Sequence, residues 1–183
     1  GHEHGEVASA FARDTLVREV ARGTDLVRAI QLADEEIIRH STRRAEALPM
    51  GTTVAALRIS GETGFEVAWV GDSRAYVWND GLRQLSQDHS YVQELVDQGA
   101  ITVEQARSHP HRNVVTQALG VTDPASLRVE NVLGQLRPGM QILLCSDGLT
   151  EEVDDAAIAA ILARQELTPP ECVDQLILAA LDG

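Results

Sequence analysis

The order of elements along the chain predicts an α+β layered domain in which helices cover an antiparallel β core. Three observations carry that prediction. Two stretches with helical apolar spacing lead the chain. Four short runs of β-forming residues follow, joined by turns too tight to hold a crossover helix. Two more helical stretches close it. No repeat, low-complexity tract or long Pro/Gly linker divides the 183 residues, a length that suits one domain with a real core.

From Glu6 to Val20, the positions Val7, Ala10, Phe11, Leu16, Val17 and Val20 recur at roughly helical spacing. Gly23 ends this helix, and Thr24 or Asp25 can cap the next. A second apolar face runs from Leu26 through Ile30, Ala33 and Ile37 to about Ala47, before Pro49. Thr53–Ile59 and Phe65–Val70 read as strands around a Ser60–Gly64 turn. Gly71-Asp72-Ser73 breaks the second strand. Arg74–Trp78 resumes a strand, and Asn79-Asp80-Gly81 turns it into Leu82–Leu85. All four strands are expected to pair antiparallel. Asp88–Leu119 reads as a polar helical insert broken by Gly99 and Pro110. Ser126–Val132 alternates like a strand, and Gln141–Cys145 is a short apolar one after the Pro138-Gly139 turn. Helices are expected over Asp155–Arg164 and Pro170–Leu181.

Composition excludes several kinds of chemistry. Fifteen basic residues against 28 acidic ones leave a net charge of −13. Nucleic acid and anionic membrane both need a positive face, so neither is an expected partner. No apolar run approaches the ~18 residues of a membrane-spanning helix, so no membrane insertion is expected. All the basic residues are Arg, which rules out a lysine Schiff base and a Walker-type phosphate loop. The cysteines, Cys145 and Cys172, form neither a disulfide framework nor a zinc set. They read as buried thiols in a reducing, cytoplasmic compartment. The chain opens on Gly1, so its translation start is expected upstream.

The chemistry-bearing feature is a pair of acidic residues at strand ends. Asp72 follows Val67-Ala68-Trp69-Val70 and lies between Gly71 and Ser73; Asp147 follows Ile142-Leu143-Leu144-Cys145 and lies between Ser146 and Gly148. A carboxylate where a buried strand meets a tight turn is rigid, and hard divalent cations want oxygens held in place. If their strands are neighbours, the two could share one ion; each is also an ordinary turn former. His2-x-His4 and His109-x-His111 lack a third ligand at diagnostic spacing and suit surface or turn roles. His109-Pro110-His111-Arg112-Asn113 has a second reading as a lid that handles substrate. Ser73 and Ser146 lack a G-x-S-x-G context and a recognisable His partner. Glu151–Asp155 reads as a helix-starting acidic run rather than a metal site.

Taken together, these motifs resemble the bacterial metal-dependent serine/threonine protein phosphatases of the PP2C (PPM) type. Gly51-Thr52-Thr53 is similar to that family's strand entry. Val70-Gly71-Asp72-Ser73-Arg74 resembles its valine-glycine-aspartate-serine-arginine motif, and Cys145-Ser146-Asp147-Gly148-Leu149 its serine-aspartate-glycine-leucine motif. Leu85–Ser90 resembles the opening of its flap and Asn113–Gly120 the close; Gly1–Ser9 resembles the run after its first metal motif. The resemblance covers essentially the whole chain. It implies an α-β-β-α sandwich of two antiparallel sheets flanked by helix pairs, as a single domain over 1–183 with a flap insert at 90–113. It implies Mn²⁺ or Mg²⁺, two or three ions, activating a water against phosphoserine or phosphothreonine. Asp147 would be a ligand of the two-ion centre, Asp72 would serve the third ion, and His109, His111 and Arg112 would be flap residues that select substrate. Phosphorylated proteins are the implied partners, together with a serine/threonine kinase that the activity opposes.

That family also places metal ligands and a phosphate-binding arginine ahead of the motif matched by residues 1–9, and a last aspartate beyond the segment that Leu181-Asp182-Gly183 resembles. The expectation is a phosphatase domain incomplete at both ends, lacking terminal strands, and inactive as residues 1–183 alone. The rival reading is a catalytically silent binding or regulatory module of the same fold, and a third is a metal-free scaffold.

Overall fold

A computed structural model describes residues 5–43 and 49–182. Helices α1 (Gly5–Ala21) and α2 (Leu26–Arg43) lead, then strands β1 (Val54–Ser60), β2 (Gly64–Val70), β3 (Arg74–Trp78) and β4 (Leu82–Gln84). Two short helices follow, α3 (Tyr91–Asp97) and α4 (Val103–Arg107), then β5 (Glu130–Gln135) and β6 (Gln141–Cys145). The chain closes with α5 (Asp147–Thr150), α6 (Asp155–Leu162) and α7 (Pro169–Asp182). Asp25 caps α2, its carboxylate accepting from the Arg28 amide at 2.9 Å, and Asp154 caps α6 in the same way through Ala157. The expected extension of α2 to Ala47, and the His2-x-His4 pair, lie outside the described residues.

The strands form two antiparallel three-stranded sheets, ordered β1-β2-β5 and β4-β3-β6. The four early strands pair antiparallel, as expected, and divide between the two sheets. β1 pairs with β2 and β3 with β4, but β2 and β3 separate into different sheets. Gly71-Asp72-Ser73 is the crossover between the sheets rather than a hairpin turn. Its geometry explains why. Gly71 has φ +104°, and a Cβ there would sit 2.3 Å from Thr53 Cγ2, so only glycine fits the bend.

Side-chain alternation on the two central strands builds four layers. On β2, Phe65, Val67 and Trp69 face the second sheet, where they meet Ala75 of β3 and Ile142 of β6. Ala68 and Val70 point the other way, into the α1–α2 layer. That layer is closed by Ala8 and Ala12 of α1 against Ala29, Ile30 and Ala33 of α2. On the far side, Trp78 and Leu143 pack under Ile158 and Leu162 of α6 and Cys172 and Leu176 of α7. A fully buried Val67 or Ile158 contributes about 1.5–3 kcal/mol of apolar burial. The α-β-β-α sandwich with a helix pair on each side is thus observed.

Two elements differ from the sequence reading. Only Tyr91–Asp97 and Val103–Arg107 of the long polar insert are helical. Gly99, at φ +69°, stops the first and Thr102 restarts the chain with a capping box. The strand expected at Ser126–Val132 begins at Glu130. Leu127 and Val129 do turn inward onto the α1–α2 core, but ahead of the ladder. The inward alternation is therefore genuine and the strand boundary is displaced.

Candidate metal and phosphate site

The β3–β6 ladder builds the site. Its last pair at this end is Arg74 opposite Cys145. Two residues beyond that pair, just outside the ladder, lie Asp72 in the crossover and Asp147 at the start of α5. The sequence-predicted pair therefore meets, though not through β2 and β6 as neighbours: Asp72 reaches Asp147 because it also heads β3. The carboxyl of Asp72 is held above the usual carboxylate range, first by burial and then by the Asp147 charge; its own backbone amide and Arg74 act in the opposite sense.

Both carboxylates open into a cleft of about 380 Å³, shared with Arg74, Asp88, Arg112 and Asn113. Glu151 and Glu152, just after α5, also line this cleft, whereas its three other acids are engaged. Asp88 is forked by Arg74, Asp154 caps α6, and Asp155 accepts from the Tyr76 hydroxyl at 3.2 Å. Asp72 and Asp147 accept no side-chain hydrogen bond among the described residues. They are the hard oxygen donors left facing the cleft at a strand end, and that donor chemistry fits a divalent cation such as Mn²⁺ or Mg²⁺. Among the described residues no group of three or more His, Cys, Asp or Glu is placed to hold a metal ion.

A strap missed in the sequence fixes the crossover. Residues Leu85–His89 run beside the start of β3 and bond to it almost residue by residue. Leu85 N–H donates to Ala75 O at 2.7 Å, and the Ala75 amide donates to Ser86 Oγ at 2.9 Å. Trp69 Nε1 donates to Gln87 O at 2.9 Å. Arg74 Nε donates to both oxygens of Asp88 at 2.9 Å, and Nη2 to Oδ2 at 2.7 Å. Gly71 N–H donates to His89 Nδ1 at 3.1 Å while His89 N–H donates to Gly71 O at 2.9 Å. The sequence signal was the polar run Ser86-Gln87-Asp88-His89 after a strand, of which Ser86 and His89 are buried.

The flap residues divide. Arg112 lines the cleft with Asp72 and Asp147. His109 and His111 do not line it; they surround Tyr91, with ring centroids 5.9 and 6.1 Å from the Tyr91 ring. The flap is closed at its root by a Ser90–Val115 bridge and by Tyr91 N–H donating to Val114 O at 2.9 Å. Ser73 and Ser146 lie along a different space, an apolar groove of about 740 Å³ between β1, α1 and β6, and Ser73 Oγ is paired with Thr53 Oγ1 at 2.9 Å. Cys145 and Cys172 are both free thiols; burial pushes Cys145 up to about 11, far from a reactive thiolate. Among the described residues no helix is long and apolar enough to cross a membrane.

Fold and cleft together define a class: a four-layer sandwich with paired carboxylates at the mouth of the sheet-to-sheet crossover. The chain belongs to the protein phosphatase 2C family, whose sequence profile matches residues 3–174. It is 35% identical to a serine/threonine phosphatase, stp, of Listeria innocua over 191 aligned positions, covering 98% of this chain and 74% of the relative. The crystal structure of the Mycobacterium tuberculosis serine/threonine phosphatase PstP/Ppp superposes with a TM-score of 0.88 at 34% identity, over 100% of this chain and 78% of that one. A structure of the PstP catalytic domain in complex with two manganese ions superposes with a TM-score of 0.84 at 30% identity, over 100% of this chain and 77% of that one.

Proposed function

We propose that this chain hydrolyses phosphoserine and phosphothreonine in proteins, with Asp72 and Asp147 as ligands of the divalent ions that the reaction uses. The observation that supports the site assignment is that both carboxylates line one cleft, close enough for the Asp147 charge to raise the Asp72 pKa. Bound Mn²⁺ or Mg²⁺ supplies an activated water and neutralises charge on the phosphoryl oxygens. The residues of the chain hold the frame in which that happens. Asp147 is fixed by the end of β6 and the start of α5, and Asp72 by the crossover and its strap. Arg74 keeps the Asp88 charge paired and away from the substrate. Arg112 brings a positive charge to the flap side of the cleft, where a phosphate ester would approach. Ser73 and Ser146 lie along the other groove, which agrees with attack by water rather than by a side chain.

Phosphorylated proteins are the substrates in this reading, and a serine/threonine kinase is the opposing activity. Free thiols support a reducing, cytoplasmic setting. The names of the relatives, serine/threonine phosphatases, support the substrate class. Asp147→Asn tests the site. It keeps the shape and removes one negative charge, so Mn²⁺-dependent hydrolysis of a phosphoester by the full-length protein should fall by about a hundredfold or more with circular dichroism unchanged. Activity within a few-fold of the parent would overturn the assignment.

A further inference from the structure

His89 is 93% removed from solvent by its relative exposure of 7%; it does not itself line the cleft, and its Nε2 has no hydrogen-bond partner among the described residues. The nearest acid to that nitrogen is Glu130, at 3.6 Å. Its other nitrogen is fully used. Nδ1 accepts the Gly71 amide, the His89 amide returns a bond to Gly71 O, and His89 O receives the Thr116 amide at 2.9 Å. One residue thus ties the crossover to both ends of the flap, entering at Ser90 and leaving at Thr116. Gly71 is held on the opposite side by Thr53, and it immediately precedes Asp72.

We infer that His89 is a positioning residue for Asp72, its Nδ1 acceptor fixing the Val70–Gly71 peptide that leads into it. The inference rests on the reading of Asp72 as a metal ligand. The physical reason is the backbone of Gly71. A glycine at φ +104° has wide conformational freedom, and a ligand attached to it is only as rigid as the bonds that hold the glycine. Two hydrogen bonds to His89, one to its buried side chain and one from its backbone amide, remove that freedom. The bond requires Nδ1 to be unprotonated. Burial favours this, pushing His89 below its usual range, while Glu130 pulls the other way. Residues that orient a ligand change metal affinity by about tenfold to a hundredfold when removed.

Three variants test it. His89→Asn keeps an acceptor at the Nδ1 position, His89→Gln moves the polar group one bond farther out, and His89→Leu removes the acceptor. Amide hydrogen exchange at Gly71 and Mn²⁺ affinity by calorimetry are read on the full-length protein, beside Mn²⁺-dependent phosphoester hydrolysis. With Leu and Gln, Gly71 exchange should rise by about tenfold or more and Mn²⁺ affinity fall by about tenfold; Asn should stay within about threefold of the parent in both. If Leu does not fold, Gln against Asn carries the same comparison. Loss of Mn²⁺ affinity with Asn equal to that with Gln, or unchanged Gly71 exchange with Gln, overturns the proposal. Asp72→Asn separates the two readings. It should weaken Mn²⁺ binding while leaving Gly71 exchange unchanged. If it leaves Mn²⁺ binding intact, the metal-ligand reading of Asp72 fails, and Gly71 exchange in the His89 variants still judges the clamp.

Discussion

Arg74 closes on Asp88 as a fork, with three N–H···O distances of 2.7–2.9 Å between a residue that opens β3 and one on the strap beside it. The pair is mostly buried, and Arg74 also donates to the Tyr76 hydroxyl at 3.2 Å. Removing one partner leaves a desolvated charge, which costs more than the intact pair contributes. Arg74→Met should lower stability by about 2–3 kcal/mol in urea unfolding. Arg74→Met combined with Asp88→Leu should recover part of that loss, and strict additivity of the two changes would argue against the coupling.

Gly71 supplies the second prediction. Alanine there meets both a left-handed backbone and Thr53 Cγ2 at 2.3 Å, so Gly71→Ala should cost about 3 kcal/mol. Gly81→Ala is the control. No atom lies within 4 Å of its added Cβ, and its stability should stay within about 0.5 kcal/mol of the parent in the same thermal or urea scan.

Asp34 carries a pH dependence. It is buried on α2 and accepts the Gly120 amide at 2.7 Å. Burial raises its pKa, the Gly120 bond lowers it, and Glu35 raises it, for a net upward shift. The native state therefore takes up this proton at a higher pH than the unfolded chain. Its contribution to stability falls as pH rises through the usual carboxylate value to the raised native one, and is most unfavourable above both. Asp34→Asn keeps the acceptor oxygen without the charge. It should gain stability relative to the parent at pH 7, and the gain should shrink as pH falls toward 4. A difference that is constant from pH 7 to pH 4 would refute the buried-charge account.

The flap prediction separates substrate choice from chemistry. Replacing His109, His111 and Arg112 by Ala should shift the ranking of phosphopeptides by about tenfold, more than it changes hydrolysis of a small aryl phosphate. Arg112→Ala alone should act through the cleft it lines, whereas the two histidines act through their packing around Tyr91. Comparing kcat/KM across a phosphopeptide panel for the single and triple variants decides it; an unchanged panel would remove the flap from substrate selection.

The sequence by itself determined the layers. Helical spacing in residues 6–38, β-branched and aromatic runs at 53–78 and the terminal helices are local patterns, set by which side chains must leave water together. It also marked Asp72 and Asp147, because an acid at the end of an apolar strand and beside glycine stands out in one dimension. The partner of each strand was decided only in three dimensions. The Gly-Asp-Ser link reads only as a break in the strand, but Gly71 packs against Thr53 and sends β3 into the second sheet, where β6, some 65 residues later, becomes its neighbour. That choice brings the two carboxylates into one cleft. The same holds for His89. Its identity is local, but its work depends on a strap whose hydrogen bonds reach Gly71 from 18 residues away and Thr116 from beyond the flap. Hydrogen bonds of that kind leave no periodicity in the chain, since they depend on backbone groups that every residue carries.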